Sequence, residues 1–84
     1  MDKNNYIYIH NVPFKFLTFR GNAANLRIGT SRQLVFIPRR YFNKDGTLIS
    51  PETVDSDLNW WFYKPVNQHK IELYREEVKD YESK

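Results

Sequence analysis

The chain reads as a small α+β domain, a twisted antiparallel sheet of three to five strands packed on one amphipathic helix. Three observations predict this. Strand-like alternation fills the first half, a strong hairpin turn stands at Asn43–Gly46, and an apolar stripe at helical spacing follows it. At 84 residues there is room for one domain, divided into a basic β half over 5–49, a helix over 51–63 and an acidic C-terminal element over 69–82.

In the β half, Tyr6-Ile7-Tyr8-Ile9 is a run of strand formers. From Val12 to Phe19 the residues alternate, with Val12, Phe14, Phe16 and Thr18 on one face and Lys15, Leu17 and Phe19 on the other. Gly21–Asn25 reads as a break, Leu26–Ile28 as a resumption, and Gln33–Ile37 as the most strand-like run, which Pro38 ends or places at an edge. Asn43-Lys44-Asp45-Gly46-Thr47 fits a type I turn closed by Gly46 at positive φ, pairing 39–42 with 47–49.

The helix has matching start, stripe and stop. Ser50 serves as N-cap, Pro51 as first helical residue, and Glu52 and Asp55 place negative charge at the positive end. Val54, Leu58, Trp61 and Phe62 form one face, and Pro65 ends the segment. In the tail, Ile71, Tyr74, Val78 and Tyr81 sit at helical spacing, but the charges oppose the helix dipole and Ile71–Tyr74 also alternates. A helix is favoured over an edge strand, with fraying over 79–84. The expected core is Phe14, Phe16, Phe36, Val54, Leu58, Trp61 and Phe62. Tyr41 and Trp60 are the aromatics expected outside it.

Composition narrows function. Without cysteine there is no disulfide framework and no cysteine-based zinc site, which points to a reducing, cytoplasmic setting. No signal-peptide pattern and no apolar run of membrane-spanning length is present, so no membrane partner is expected. His10 and His69 lie in separate segments, and no nucleophile motif or glycine-rich phosphate loop exists. Residues Tyr41–Glu52 partly match a calcium-loop template, but Tyr41 stands where the first carboxylate is needed. The expectation is a non-enzyme with no cofactor and no metal.

Charge is unevenly placed. Residues 13–50 hold seven Lys and Arg against Asp45 alone, a net +6, and residues 51–84 hold five cations against eight acids, a net −3. Arginines interleaved with aromatics on strands are what nucleic-acid binders use, cations on phosphates and rings on bases. On this reading Arg27, Arg32, Arg39, Arg40 and Lys44 contact phosphates of DNA or RNA and Tyr41 stacks. The alternative is a protein-interaction module, because a helix cannot bury all of Trp60-Trp61-Phe62-Tyr63 on one sheet. Trp60 and Tyr63 would then be the anchors, and the acidic second half could dock on a second copy's basic half to give a homodimer.

The run Leu34-Val35-Phe36-Ile37-Pro38-Arg39-Arg40-Tyr41-Phe42, followed by a short turn and a Trp-containing helix, resembles a pattern in small phage and mobile-element proteins. There a strand ends in Ile-Pro-Lys/Arg and a Trp-bearing helix follows. This chain departs from it in the turn at Asn43–Gly46 and in its paired tryptophans. The resemblance implies an accessory role in replication, host takeover or DNA handling, and it carries no catalytic residue across.

Overall fold

The computed structural model describes residues 6–82, with side chains through Lys79. Residue 5 of the expected β half, the Tyr81 position of the tail stripe and the end of the fraying segment lie outside the described side chains. Strands β1 (Tyr6–Ile9), β2 (Val12–Arg20), β3 (Ala23–Ile28) and β4 (Leu34–Pro38) form one antiparallel sheet in the order β1-β2-β3-β4. The α+β expectation holds, with four strands.

Two-residue turns set the register. His10 and Asn11 join β1 to β2 with φ of 50° and 65°, both left-handed as a type I′ hairpin requires. This conformation costs a residue with a Cβ free energy, and contacts hold it. The His10 N–H donates to Asp55 Oδ1 at 2.9 Å, Nε2 lies 2.6 Å from Asn59 Oδ1, and the ring packs 4.6 Å from that of Phe62. Gly21 and Asn22 join β2 to β3, so the break expected over Gly21–Asn25 is only two residues long. Ala23, Ala24 and Asn25 are weak strand formers, yet each is paired on both sides, with β2 and with β4; ladder pairing overrides propensity.

A register shift between Phe16 and Thr18 changes the expected faces of β2. Phe16 opposes Leu26, Thr18 opposes Asn25 and Phe19 opposes Ala24. The extra residue, Leu17, reverses the alternation, so Thr18 leaves the core face and Phe19 joins it. Phe19 then packs edge-on to Phe16 at 4.9 Å and to Phe42 at 6.4 Å.

After β4 the expected strand at 39–42 is instead a 3₁₀-helical turn at Arg39–Tyr41, leaving one bridge, Phe42 to Leu48. The turn beyond it is as expected. Gly46 N–H donates to Asn43 O at 3.0 Å and Asn43 N–H to Thr47 O at 2.7 Å. Gly46 has φ of +87°, and a Cβ there would fall 2.5 Å from the Phe16 ring.

The segment expected as one helix over 51–63 is broken. A 3₁₀ turn at Pro51–Thr53 leads into α1 (Val54–Asp57), Leu58 departs to φ −108°, ψ 14°, and α2 (Asn59–Phe62) follows. Thr53, Asp55, Ser56, Asp57 and Asn59 are all modest helix formers that favour caps and turns. The apolar stripe survives the break, with Val54, Leu58, Trp61 and Phe62 all buried. Pro65 stops nothing; it is the first residue of α3 (Pro65–Glu82), the position where its missing N–H costs least. From that first turn, Asn67 and Gln68 amides donate to Trp61 O and Phe62 O, satisfying the last carbonyls of α2.

The tail is thus a helix, four residues longer at its start than expected. It runs beside β4. Lys70 Nζ donates to Leu34 O at 2.6 Å, Glu77 accepts from the Arg32 N–H and Gln33 Nε2, and Ile71 enters the core. These contacts outweigh the unfavourable order of charges along it.

The core lies between one sheet face and the helices. Ile9, Val12, Phe14, Ala24, Leu26, Ile28, Val35 and Ile37 meet Phe42, Val54, Leu58, Trp61, Phe62 and Ile71, with Phe14 5.7 Å from Trp61 edge to face. Phe16 is half-buried against this cluster. Phe36 is not in it, contrary to expectation. Val35 and Ile37 take the core side of β4, so alternation leaves Phe36 on the other face, 51% exposed.

Candidate nucleic-acid interface

The sheet's other face is defined by the same register. Tyr6 opposes Lys15, Lys15 opposes Arg27 and Arg27 opposes Leu34, one row across four strands. The next row is Thr18, Asn25 and Phe36, and the one beyond is Arg20, Ala23 and Pro38. Tyr8, across from Pro13, extends the face the other way. None of these residues is buried. No Asp or Glu occurs between Tyr6 and Pro38, so the strands contribute Lys15, Arg20 and Arg27 beside Tyr6, Tyr8 and Phe36 and no carboxylate of their own; Asp45 of the 43–46 turn shares a cleft at the β1 margin with Tyr6, Tyr8 and Lys15.

Lys15 and Arg27 are directly opposite each other, an arrangement that destabilises a sheet unless an anion lies between the charges. Arg27 Nε donates to Gly29 O at 3.3 Å, a bond that leaves the guanidinium's terminal nitrogens for other partners. The Oδ1 of Asn25, in the middle of the face, is buried without a hydrogen-bond partner among the described residues.

The six expected nucleic-acid residues do not form one patch. Arg27 is on the open face. Arg32, exposed in the β3–β4 turn, stands beyond the opposite end of β4 from Arg39, roughly 20 Å away at the rise of a strand. Arg39 is committed to the fold, its guanidinium carbon 4.0 Å over the Phe19 ring and its Nη1 donating to Gly21 O. Arg40 lies over the half-buried Tyr41 ring, whose hydroxyl accepts from Arg40 Nη2 and from Trp60 Nε1. Tyr41 is therefore a bridge to α2 rather than a free stacking platform. Lys44 is exposed at the 43–46 turn, which packs on Phe16 of β2 but is not part of the sheet. Beside it, the Thr47 hydroxyl and N–H hold the Asp45 carboxyl below its usual range, and the same bonds explain Asp45 as a turn residue.

Arg20 and Phe36 stand outside the expected site set, and so do Tyr6, Tyr8 and Lys15. Alternation places the last three on a common face only once β1 is paired to β2, and the two-residue spacing at His10–Asn11 was the signal that could have fixed that pairing. Trp60 and Tyr63, the alternative anchors, are 46% and 58% exposed.

The fold and this face define a small antiparallel-sheet domain covered by helices on one side and open on the other. No family model, curated protein or solved structure matches the chain. Among the described residues no three His, Asp or Glu side chains gather as metal donors, and no helix is long and apolar enough to cross a membrane.

Proposed function

We propose that the protein is a non-catalytic nucleic-acid-binding accessory domain that lays a strand of DNA or RNA on the open face of its sheet. Lys15, Arg20 and Arg27 neutralise phosphates, and Tyr6, Tyr8 and Phe36 offer ring faces to bases. The observation that carries this reading is the Lys15–Arg27 pair, two like charges opposed across adjacent strands that hold no acid. Such a pair works against folding, and a polyanion is the ligand that relieves it. A chain without cysteine fits action inside the cell, and the resemblance of residues 34–42 to small phage and mobile-element proteins fits an accessory role.

The test is fluorescence anisotropy of labelled single-stranded DNA, duplex DNA and RNA at two salt concentrations. Binding is expected at micromolar concentration or tighter, weakening steeply with salt. Three neutralised phosphates give a log–log slope near −2 on a single strand, and Lys15→Ala or Arg27→Ala each reduces its magnitude by about 0.7. No binding to any of the three at low salt overturns the proposal. A second reading draws on the exposure of Trp60 and Tyr63: these are anchors for a protein partner, and Tyr63→Ala would lose that partner in a pull-down while the domain stays folded.

A further inference from the structure

At the β4 side of the open face, the sheet and the helices enclose a groove of about 590 Å³. Phe36 and Pro38 form its sheet wall, and Trp60 and Val66 its helical wall. Three of these, Phe36, Trp60 and Val66, are 51%, 46% and 57% exposed. Arg40, Lys64 and Lys70 also line the groove, and no Asp or Glu does. The Lys64 ammonium lies over the Trp60 ring, 5.3 Å from its centroid, and that of Lys70 over Phe36, 5.9 Å from its centroid, so each ring has a cation over one face.

The groove does not suit an added β-strand. In the β3–β4 ladder the backbone groups of Leu34 and Phe36 point away from β3. Their carbonyls are already taken, by Lys70 Nζ and by Trp61 Nε1 at 2.7 Å, and Pro38 has no N–H to offer. What fits is a flat apolar group that carries negative charge next to it. Phe36 also belongs to the open face, directly opposite Asn25, so a strand crossing that face reaches the groove without a gap.

The geometry points to a nucleotide subsite: the groove receives one unpaired base, stacked on Phe36 and Trp60, with Arg40, Lys64 and Lys70 at the flanking phosphates. This rests on the nucleic-acid reading of the open face and narrows it to single strands, since a base in a duplex is already stacked and paired and enters only after it is pulled out.

The two tryptophans make the test direct: both line the groove, but Trp61 is 3% exposed and Trp60 46%, so Trp60 is the indole whose ring a ligand can cover. The full chain is titrated with a single-stranded oligothymidylate while tryptophan emission and anisotropy are recorded in parallel. Emission is expected to be quenched over the concentration range in which anisotropy rises, and Trp60→Phe, which keeps a ring in place, is expected to bind with most of that quench lost. Trp60→Ala should lose about 5- to 150-fold in single-strand affinity, the worth of one stacked base, and bring single-strand and duplex affinities close together. Binding without Trp60-dependent quenching, or unchanged affinity in Trp60→Ala, overturns the subsite and leaves the open face standing. Absence of any anisotropy change removes both. Quenching by an acidic aromatic peptide and not by the oligonucleotide overturns the subsite and assigns the groove to a protein. Should Trp60→Ala fail to fold, the Trp60→Phe comparison decides alone.

Discussion

One residue separates two very different rows of the sheet. Phe16, Leu26 and Val35 line up across three strands on the covered face, and Tyr6, Lys15, Arg27 and Leu34 line up across four on the open one. The backbone serving both rows is the same. On the covered side each position answers to its neighbours, the small Ala24 leaving space opposite Phe19 and Ile37. On the open side nothing in the fold calls for Lys15 to face Arg27. The difference teaches that a half-covered sheet separates the demands of folding from those of recognition by the direction of the Cβ alone.

The contrast is broken most forcefully from the covered side. Leu26→Ala empties fully buried volume and is expected to lower unfolding free energy by about 2–5 kcal/mol, read from a denaturant midpoint at constant slope. A loss under 1 kcal/mol would mean that the core is not where the register puts it. Gly46→Ala is next. It forces a side chain into positive φ and against the Phe16 ring, at an expected cost of about 1–3 kcal/mol; a neutral outcome would detach the 43–46 turn from the sheet.

From the open side the expected sign reverses. Lys15→Glu replaces a like-charge pair with an opposite one, so thermal stability should rise by the equivalent of about 0.2–1 kcal/mol while nucleic-acid affinity falls. A variant that loses stability and binding together would show that Lys15 serves the fold. The smallest effect belongs to deletion of Leu17. Because Phe16 pairs with Leu26 and Thr18 with Asn25, removing the residue between them regularises the ladder without moving any side chain to the other face. Stability should change by less than about 1 kcal/mol, and a larger loss would give the bulge a structural role of its own.

Much of this architecture was legible in the sequence, for identifiable reasons. The Asn43–Gly46 turn, the strand cores and the Val54–Leu58–Trp61–Phe62 stripe are signalled by local chemistry, and local chemistry decides them. Phe36 was misplaced because Leu34-Val35-Phe36-Ile37 is apolar on both faces, so its phase cannot be read from hydropathy. Phe19 was misplaced because one bulged residue inverts every assignment after it. The continuity of the 51–63 helix was overread: the spacing of its apolar residues tolerates a break that Asp55, Ser56, Asp57 and Asn59 favour. The candidate site was least legible, since Lys15, Arg27 and Tyr6 are neighbours only through strand pairing, and Arg39 looked free until Phe19 turned inward to meet it.

The occupied edge of β4 bears on how copies of this domain can meet. With Leu34 and Phe36 carbonyls engaged by Lys70 and Trp61, and with Pro38 at the strand's end, that margin does not template another chain. The margin at β1 pairs with no described strand. A sheet that can extend on one side only is self-terminating: if two copies joined through β1, their guarded margins would face outward and assembly would stop at a closed two-fold pair rather than run on into a filament.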